Sequence, residues 1–191
     1  MPRAQDWNGE SRILVYGVTG SGKTTLARKI GERLALPWHE VDQLTWEPNW
    51  TVVPLETQIE RIEAIVRQDK WVLDTAYAKW RKIPLARAEI IVGLDYPRWV
   101  SLSRLIRRCC ARMIDGKPIC NGNRERLRNT FSRDSIIRWH FDSFARKRSR
   151  IVEWEAAEVG PPVLRLRSPR EAERLLLRLP VSPSNARYPA G

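Results

Sequence analysis

The residues best able to do chemistry lie in Gly17-Val-Thr-Gly-Ser-Gly-Lys-Thr24, which matches the pattern G-x-x-x-x-G-K-[ST] at every position. Gly17, Gly20 and Gly22 let a backbone wrap an anion without Cβ clashes, so successive N–H groups around Thr19 and Ser21 turn inward. The helix that follows adds the partial positive charge of its N-terminus. Lys23 supplies a point charge for terminal phosphates, Thr24 a hydroxyl ligand for Mg²⁺, and Thr25 a further phosphate contact. The pattern predicts a cradle for a polyphosphate such as that of ATP.

A cradle alone does not choose a reaction; other strand ends do. Asp74 follows Trp71-Val-Leu73, a strand that fits beside the first. A carboxylate there can hold the water shell of Mg²⁺. Asp42 is expected at the end of the second strand, where it suits accepting a proton from a substrate hydroxyl or orienting it. Either carboxylate could instead cap the next element. Asp95 precedes Pro97 and a helix, so a structural capping role is expected there.

These residues need a scaffold, and the pattern supplies one. Arg12 to Tyr16, Trp38 to Val41, Trp71 to Leu73, Glu89 to Leu94 and Pro162 to Leu166 read as strands. Helical periodicity runs from Lys23 to Leu36, from about 55 to 68, from Pro97 to about Met113, from Arg124 to about Arg148, and from Pro169 to Leu179. Residues 43–54 and 114–123 read as loops. Strands alternating with helices predict an α/β parallel sheet covered on both faces, with ligands off the carboxyl ends of its strands.

The chain has 191 residues and a formal charge of +12. Residues 1–95 balance to zero, whereas residues 96–150 hold 15 basic and 4 acidic side chains. So dense a cluster is expected to meet anions, either phosphorylated small molecules or nucleic acid; an arginine-rich solvated helix face is the plainer alternative. Arg104, Arg108 and Arg112 recur at i, i+4 and i+8, which aligns them on one helix face. Arg124, Arg126, Arg128 and Arg133 follow the Gly-containing loop, and the two helices together look like a closing lid over about 104–133. Cys109, Cys110 and Cys120 read as free thiols, without the spacing that zinc sites with His140 would need. No apolar run approaches the roughly 18 residues of a membrane span, and no signal-peptide core is visible, so a cytoplasmic protein is expected.

GVTGSGKTT, VDQLTWEPNW, Asp74-Thr-Ala-Tyr77, LDYPR and Gly122-Asn-Arg-Glu125 resemble the adenylate kinase-like P-loop kinases. Within them, the likeness is to the FlaR-type bacterial group labelled topology modulation proteins. The resemblance spans roughly residues 12–179, leaving 1–11 as a flexible leader and 180–191 as a flexible tail. It implies a three-layer P-loop NTPase fold, with a five-stranded mostly parallel sheet and a basic helical lid. It also implies ATP as phosphoryl donor, Mg²⁺ as cofactor and a nucleotide or other small molecule as acceptor. By position, Arg104 would lie against the nucleotide base and Arg108 against the phosphates, with Arg124 and Arg128 as lid arginines. Lys23, Asp42, Asp74 and Arg108 would carry the transfer.

The chain departs from adenylate kinases after the third strand, where it has Asp74-Thr-Ala-Tyr-Ala78 instead of D-G-F-P-R. An acceptor other than AMP is therefore expected, flat or apolar on one side, with Trp46 and Trp50 able either to stack on it or to pack as core. Two alternatives stay open at this point: a nucleic-acid-associated ATPase, favoured by the basic segment, and a nucleotide-binding regulator without turnover.

Overall fold

The computed structural model describes residues 7–115, 121–123 and 136–182. It begins β1 (Arg12–Gly17), α1 (Lys23–Leu34), β2 (Trp38–His39), α2 (Val41–Thr45) and a small hairpin, β3 (Trp46–Glu47) with β4 (Thr51–Val52). There follow α3 (Leu55–Val66), β5 (Trp71–Leu73), α4 (Lys82–Leu85) and β6 (Ile90–Leu94). The last elements are α5 (Arg98–Asp115), α6 (Ile136–Ala156), β7 (Val163–Leu166) and α7 (Pro169–Arg178).

Successive residues of a strand point to opposite faces, so a strand apolar at every position needs cover on both sides. In β1, Ile13 and Val15 pack with Leu26, Ala27 and Ile30 of α1 and Leu175 of α7. Leu14 and Tyr16 pack on the other face with Ile62, Ile65 and Val66 of α3 and Ile151 of α6. Each such side chain contributes roughly 1.5–3 kcal/mol on burial, so the floor of the site rests on the best-packed strand. The main sheet has the order β2-β5-β1-β6-β7, and all its pairings are parallel. Its strand order turns at β1, which places the glycine loop, Asp74 and Asp95 side by side at the carboxyl ends of the three central strands.

Several expectations are corrected in detail. The first helix stops at Leu34 because Ala35 adopts a left-handed conformation (φ 53°) and the Leu36 N–H returns to the Gly31 carbonyl at 2.9 Å. β2 ends at His39, since its partner β5 ends at Leu73. The chain then enters α2, so Asp42 lies in a helical first turn and not at a strand end. Residues 43–54 fold as the end of α2 and the hairpin, where a loop is expected. The helix α6 runs past Arg148 to Ala156, because Ile151 is fully buried and Trp154 meets Tyr16 edge-on at 4.7 Å. Part of the expected leader is tied down: Trp7 packs on the core and the Ser11 hydroxyl donates to the Asp69 carbonyl at 3.0 Å.

Asp95 serves the fold through ion pairs. It is buried at the end of β6 and accepts from Arg148 of α6 and, at 2.8 Å, from Nε of Arg165 on β7. Next to it, Gly93 lets α6 come close; a Cβ there would lie 2.8 Å from Cγ2 of Ile151. Removing the carboxylate leaves Arg165 charged and largely buried without its main counter-ion. Asp95→Ala is expected to lower unfolding stability by roughly 3 kcal/mol, read as a fall in denaturation midpoint at unchanged denaturant slope.

Candidate active site

The glycine loop turns from β1 into α1 as its sequence requires. Gly20 takes φ +81°, a conformation L side chains avoid, and a Cβ there would sit 2.4 Å from the Ser101 carbonyl oxygen on α5. The loop is thus wedged against α5. Ser21 is buried, and its hydroxyl donates to the Val18 carbonyl at 2.8 Å, closing the turn from inside. Gly22 is the N-cap of α1, also at positive φ, and Thr25 on the first turn is exposed. Lys23 lies back over the loop, donating from Nζ to the Val18 carbonyl at 3.0 Å. Burial lowers its pKa, Asp74 and Asp42 oppose that, and Arg108 reinforces it.

The second part is a pair of carboxylates with different surroundings. Asp74 is buried where β5 ends beside β1. Its Oδ2 accepts from the Thr24 hydroxyl at 2.5 Å and its Oδ1 from the Val41 N–H at 2.9 Å. Burial raises its pKa, with the Thr24 and Val41 hydrogen bonds and Lys23 pulling the other way. The Val41 bond also explains α2: it anchors the first helical N–H, and Asp42 follows directly. Asp42 accepts from the Tyr77 hydroxyl through Oδ1. Burial first, then the charge of Asp42, raise the Tyr77 pKa, so the phenol stays a donor at neutral pH.

A hydroxyl and a carboxylate this close form a donor set suited to a hard cation. Among the described residues no cluster of three His, Cys, Asp or Glu side chains could hold a metal by itself. Thr24 and Asp74 therefore fit Mg²⁺ that arrives with phosphate oxygens, the usual habit of that ion.

The third part is basic. Arg104 donates to the Ser21 carbonyl at 3.2 Å, and its guanidinium lies 5.8 Å from the centre of the Tyr96 ring. Arg108 acts on Lys23, and Arg112 acts on Glu40, whose pKa burial and Asp74 raise. The three arginines one turn apart thus run from the cradle toward the α2 side. Arg124, Arg126, Arg128, Arg133 and Cys120 lie outside the described residues; Cys109 is buried and Cys110 exposed.

Glu40 and Lys147 are site residues that sequence reasoning did not single out, Tyr77 entered it only as part of a motif, and His140 only as a rejected zinc ligand. His140 is fully buried on α6, with Nδ1 3.0 Å from the Thr19 carbonyl. Only an N–H can satisfy that oxygen, so the neutral ring carries its proton on Nδ1. Burial holds its pKa down, and the positive charges of Arg98, Lys147 and Lys23 add to that. Lys147 lies two turns further on the same face. The signal that could have found it is the spacing 140, 144, 147, 151, which makes Lys147 the charged member of a buried stripe.

The hairpin continues directly from α2. Trp46 and Trp50 meet edge-on with centroids 5.8 Å apart, and Tyr77 reaches toward Trp46. Asn121 donates to the Gln43 and Trp46 carbonyls at 2.9 and 2.7 Å. Asn123, itself buried, donates to the Glu47 carbonyl at 3.0 Å and accepts from the Trp50 N–H at 2.7 Å. Trp50 has φ +57°, an unusual conformation for a bulky residue, and that N–H bond helps to hold it. Asn123→Ala is expected to lower unfolding stability by about 1 kcal/mol, since it removes the partner of two half-buried backbone groups. The same substitution should alter tryptophan fluorescence as Trp50 is released.

No family model matches the sequence, and no curated protein sequence matches it. Solved structures do. A gluconokinase from Sinorhizobium meliloti 1021 is similar with TM-score 0.50 and 18% identity, covering 93% of this chain and 94% of its own. A sugar kinase from Janibacter sp. HTCC2649 is similar with TM-score 0.50 and 18% identity, covering 94% and 99%. Shikimate kinase from Aquifex aeolicus vf5 is similar with TM-score 0.50 and 16% identity, covering 87% and 91%. These neighbours are P-loop kinases, and the likeness is one of architecture: a five-stranded parallel sheet within an α/β fold, the fold of the P-loop kinases.

Proposed function

We propose that this protein is an ATP-dependent phosphotransferase, moving the terminal phosphoryl group of ATP to a small-molecule acceptor. The observation that carries this reading is the separation of two carboxylates around one cradle: Asp74 bonded to Thr24, and Asp42 bonded to Tyr77. Hydrolysis alone has no need for a second carboxylate set apart on its own phenol. The kinases that share the fold carry small-molecule names, which supports an acceptor of that kind. The motifs quoted above support a reading as an adenylate kinase-like protein and, more finely, one of the FlaR-type group.

Mechanistically, the loop N–H groups and the α1 N-terminus bind the phosphate chain, and Lys23 exchanges the Val18 carbonyl for phosphate oxygens. Mg²⁺, held by Thr24 and Asp74, neutralises phosphate charge when bound. Arg104 lies where a base would rest, and Arg108 offers a fork to the phosphates. Tyr77 holds one oxygen of Asp42, which leaves the other to accept the acceptor's proton. The hairpin tryptophans form the wall against which the acceptor lies. Transfer then proceeds by positioning and electrostatics, without a covalent intermediate. The cytoplasm, which keeps thiols such as Cys110 reduced, is the compartment this reading assigns.

The test is ATP consumption in the presence of nucleoside monophosphates, nucleosides, sugar acids and small polyols, with product mass measured. A phosphorylated acceptor supports the proposal. ATP loss with inorganic phosphate as the only product, across the whole panel, would replace it with the ATPase reading.

A further inference from the structure

Helix α6 crosses the back of the site with three points of attachment. His140 is bonded to the Thr19 carbonyl, Arg148 pairs with Asp95, and Ile151 fills the space that Gly93 leaves open. The inward residues between them are His140, Phe144, Lys147 and Ile151, separated by four, three and four positions. That spacing defines one buried stripe of an α-helix. His140 and Ile151 are fully enclosed and Phe144 nearly so, whereas Lys147, half-buried, brings an ammonium group into the same stripe. A long aliphatic stem can lie along such a stripe while its head reaches past the end of the sheet, where the glycine loop is.

The groups facing that head come from every neighbouring element. From α1 there is Lys23, from α2 Asp42, and from α6 itself Arg146 and His140. The α5 side brings Arg98, whose guanidinium lies over Phe144, and Arg108, which acts on Lys23. On β7, Arg165 is already paired with Asp95 and Glu155. On β1 the nearest ionisable group is Tyr16, itself raised by burial. Among the described residues, Lys23 and Arg146 act against the charge of Lys147 and Asp42 favours it.

We propose that Lys147, on the face of α6 that His140 ties to the glycine loop, is a phosphate-binding residue that takes up a proton as the nucleotide binds. The proposal rests on the nucleotide-binding reading above and adds to it a ligand from the far helix, together with its protonation state. In the free site, burial and then Lys23 lower the Lys147 pKa to about 7, with Asp42 opposing. A phosphate chain entering the loop beside them reverses that balance. Its negative charges favour the ammonium form, so the pKa rises in the complex and a proton is drawn from solvent. The sign follows directly. Affinity is full below the free-site pKa and falls above it, where binding must also load the proton. Between pH 6 and pH 8 the affinity should fall about tenfold.

The test is titration calorimetry of the full chain with Mg·ADP, at pH 6 and pH 8, in buffers of different ionisation enthalpy. Wild type should take up close to one proton per ADP at pH 8 from this group and about a tenth of one at pH 6. Lys147→Arg keeps its charge throughout, so it should bind at pH 8 about as tightly as at pH 6, without that extra proton. Lys147→Met should bind more weakly than wild type at pH 6 and lose the pH dependence. A purely structural lysine would change affinity or folding without moving the proton count. Equal proton uptake by wild type and Lys147→Arg at pH 8 overturns the inference and leaves nucleotide binding standing. Failure of wild type to bind Mg·ADP at either pH overturns both.

Discussion

Lys23→Ala is expected to lower kcat/KM for ATP by about 10³-fold, with the larger part in kcat. The lysine is the one positive side chain of the loop itself, and it is pre-placed: Nζ rests on the Val18 carbonyl, within the curve that the phosphates would enter. Its charge is worth more there than in water because the surroundings are partly desolvated, the same condition that lowers its pKa. Loss of this cation removes charge stabilisation where charge shifts during transfer. Steady-state kinetics on the acceptor identified by the product screen measures the effect. A variant within threefold of wild type would remove the loop from the mechanism.

Asp42→Asn should separate transfer from binding. The amide keeps the size of the side chain and can still accept from Tyr77 through its oxygen, so the local packing is preserved. What it cannot do is take a proton from an acceptor. Phosphoryl transfer is expected to fall between about 10²- and 10⁴-fold, while the dissociation constant for Mg·ADP stays within a factor of two or three. Tyr77→Phe should show a smaller loss with the same pattern, since the carboxylate survives but is no longer held. If Asp42→Asn weakens ADP binding as much as it slows transfer, Asp42 belongs to the nucleotide side and the division of labour between the two carboxylates is wrong.

The parts of this site differ sharply in how far they could be read in advance. The cradle is eight consecutive residues between a strand and a helix, so its physics is local and the pattern suffices. The Asp74 assignment required one further inference, that its strand lies beside the first, and β5 does pair with β1. Asp42 shows where local reading stops. Its position depends on β2 running out of partner after Leu73 and on Val41 finding the Asp74 carboxylate, both tertiary events. Lys147 stands 124 residues beyond Lys23, and its charge is felt there only because α6 packs across β1 and β6. A basic residue among fifteen in one segment carries no mark of which of them faces inward. The heptad-like spacing is that mark, and it becomes meaningful once His140 and Ile151 are known to be buried.

The hairpin Trp46–Val52 has a meaning for how this kind of protein diversifies. Its strands pair with each other and with none of the five in the main sheet. Among the described residues, Asn121 and Asn123 tie it to the far part of the chain through backbone atoms of residues 46, 47 and 50. Backbone contacts are indifferent to side-chain identity, so the two tryptophans can be exchanged while the docking survives. The cradle, by contrast, is built into the core strand and tolerates little. On the proposed function, the protein divides into a fixed donor half and an exchangeable recognition cassette, and a library confined to positions 46–52 tests that division.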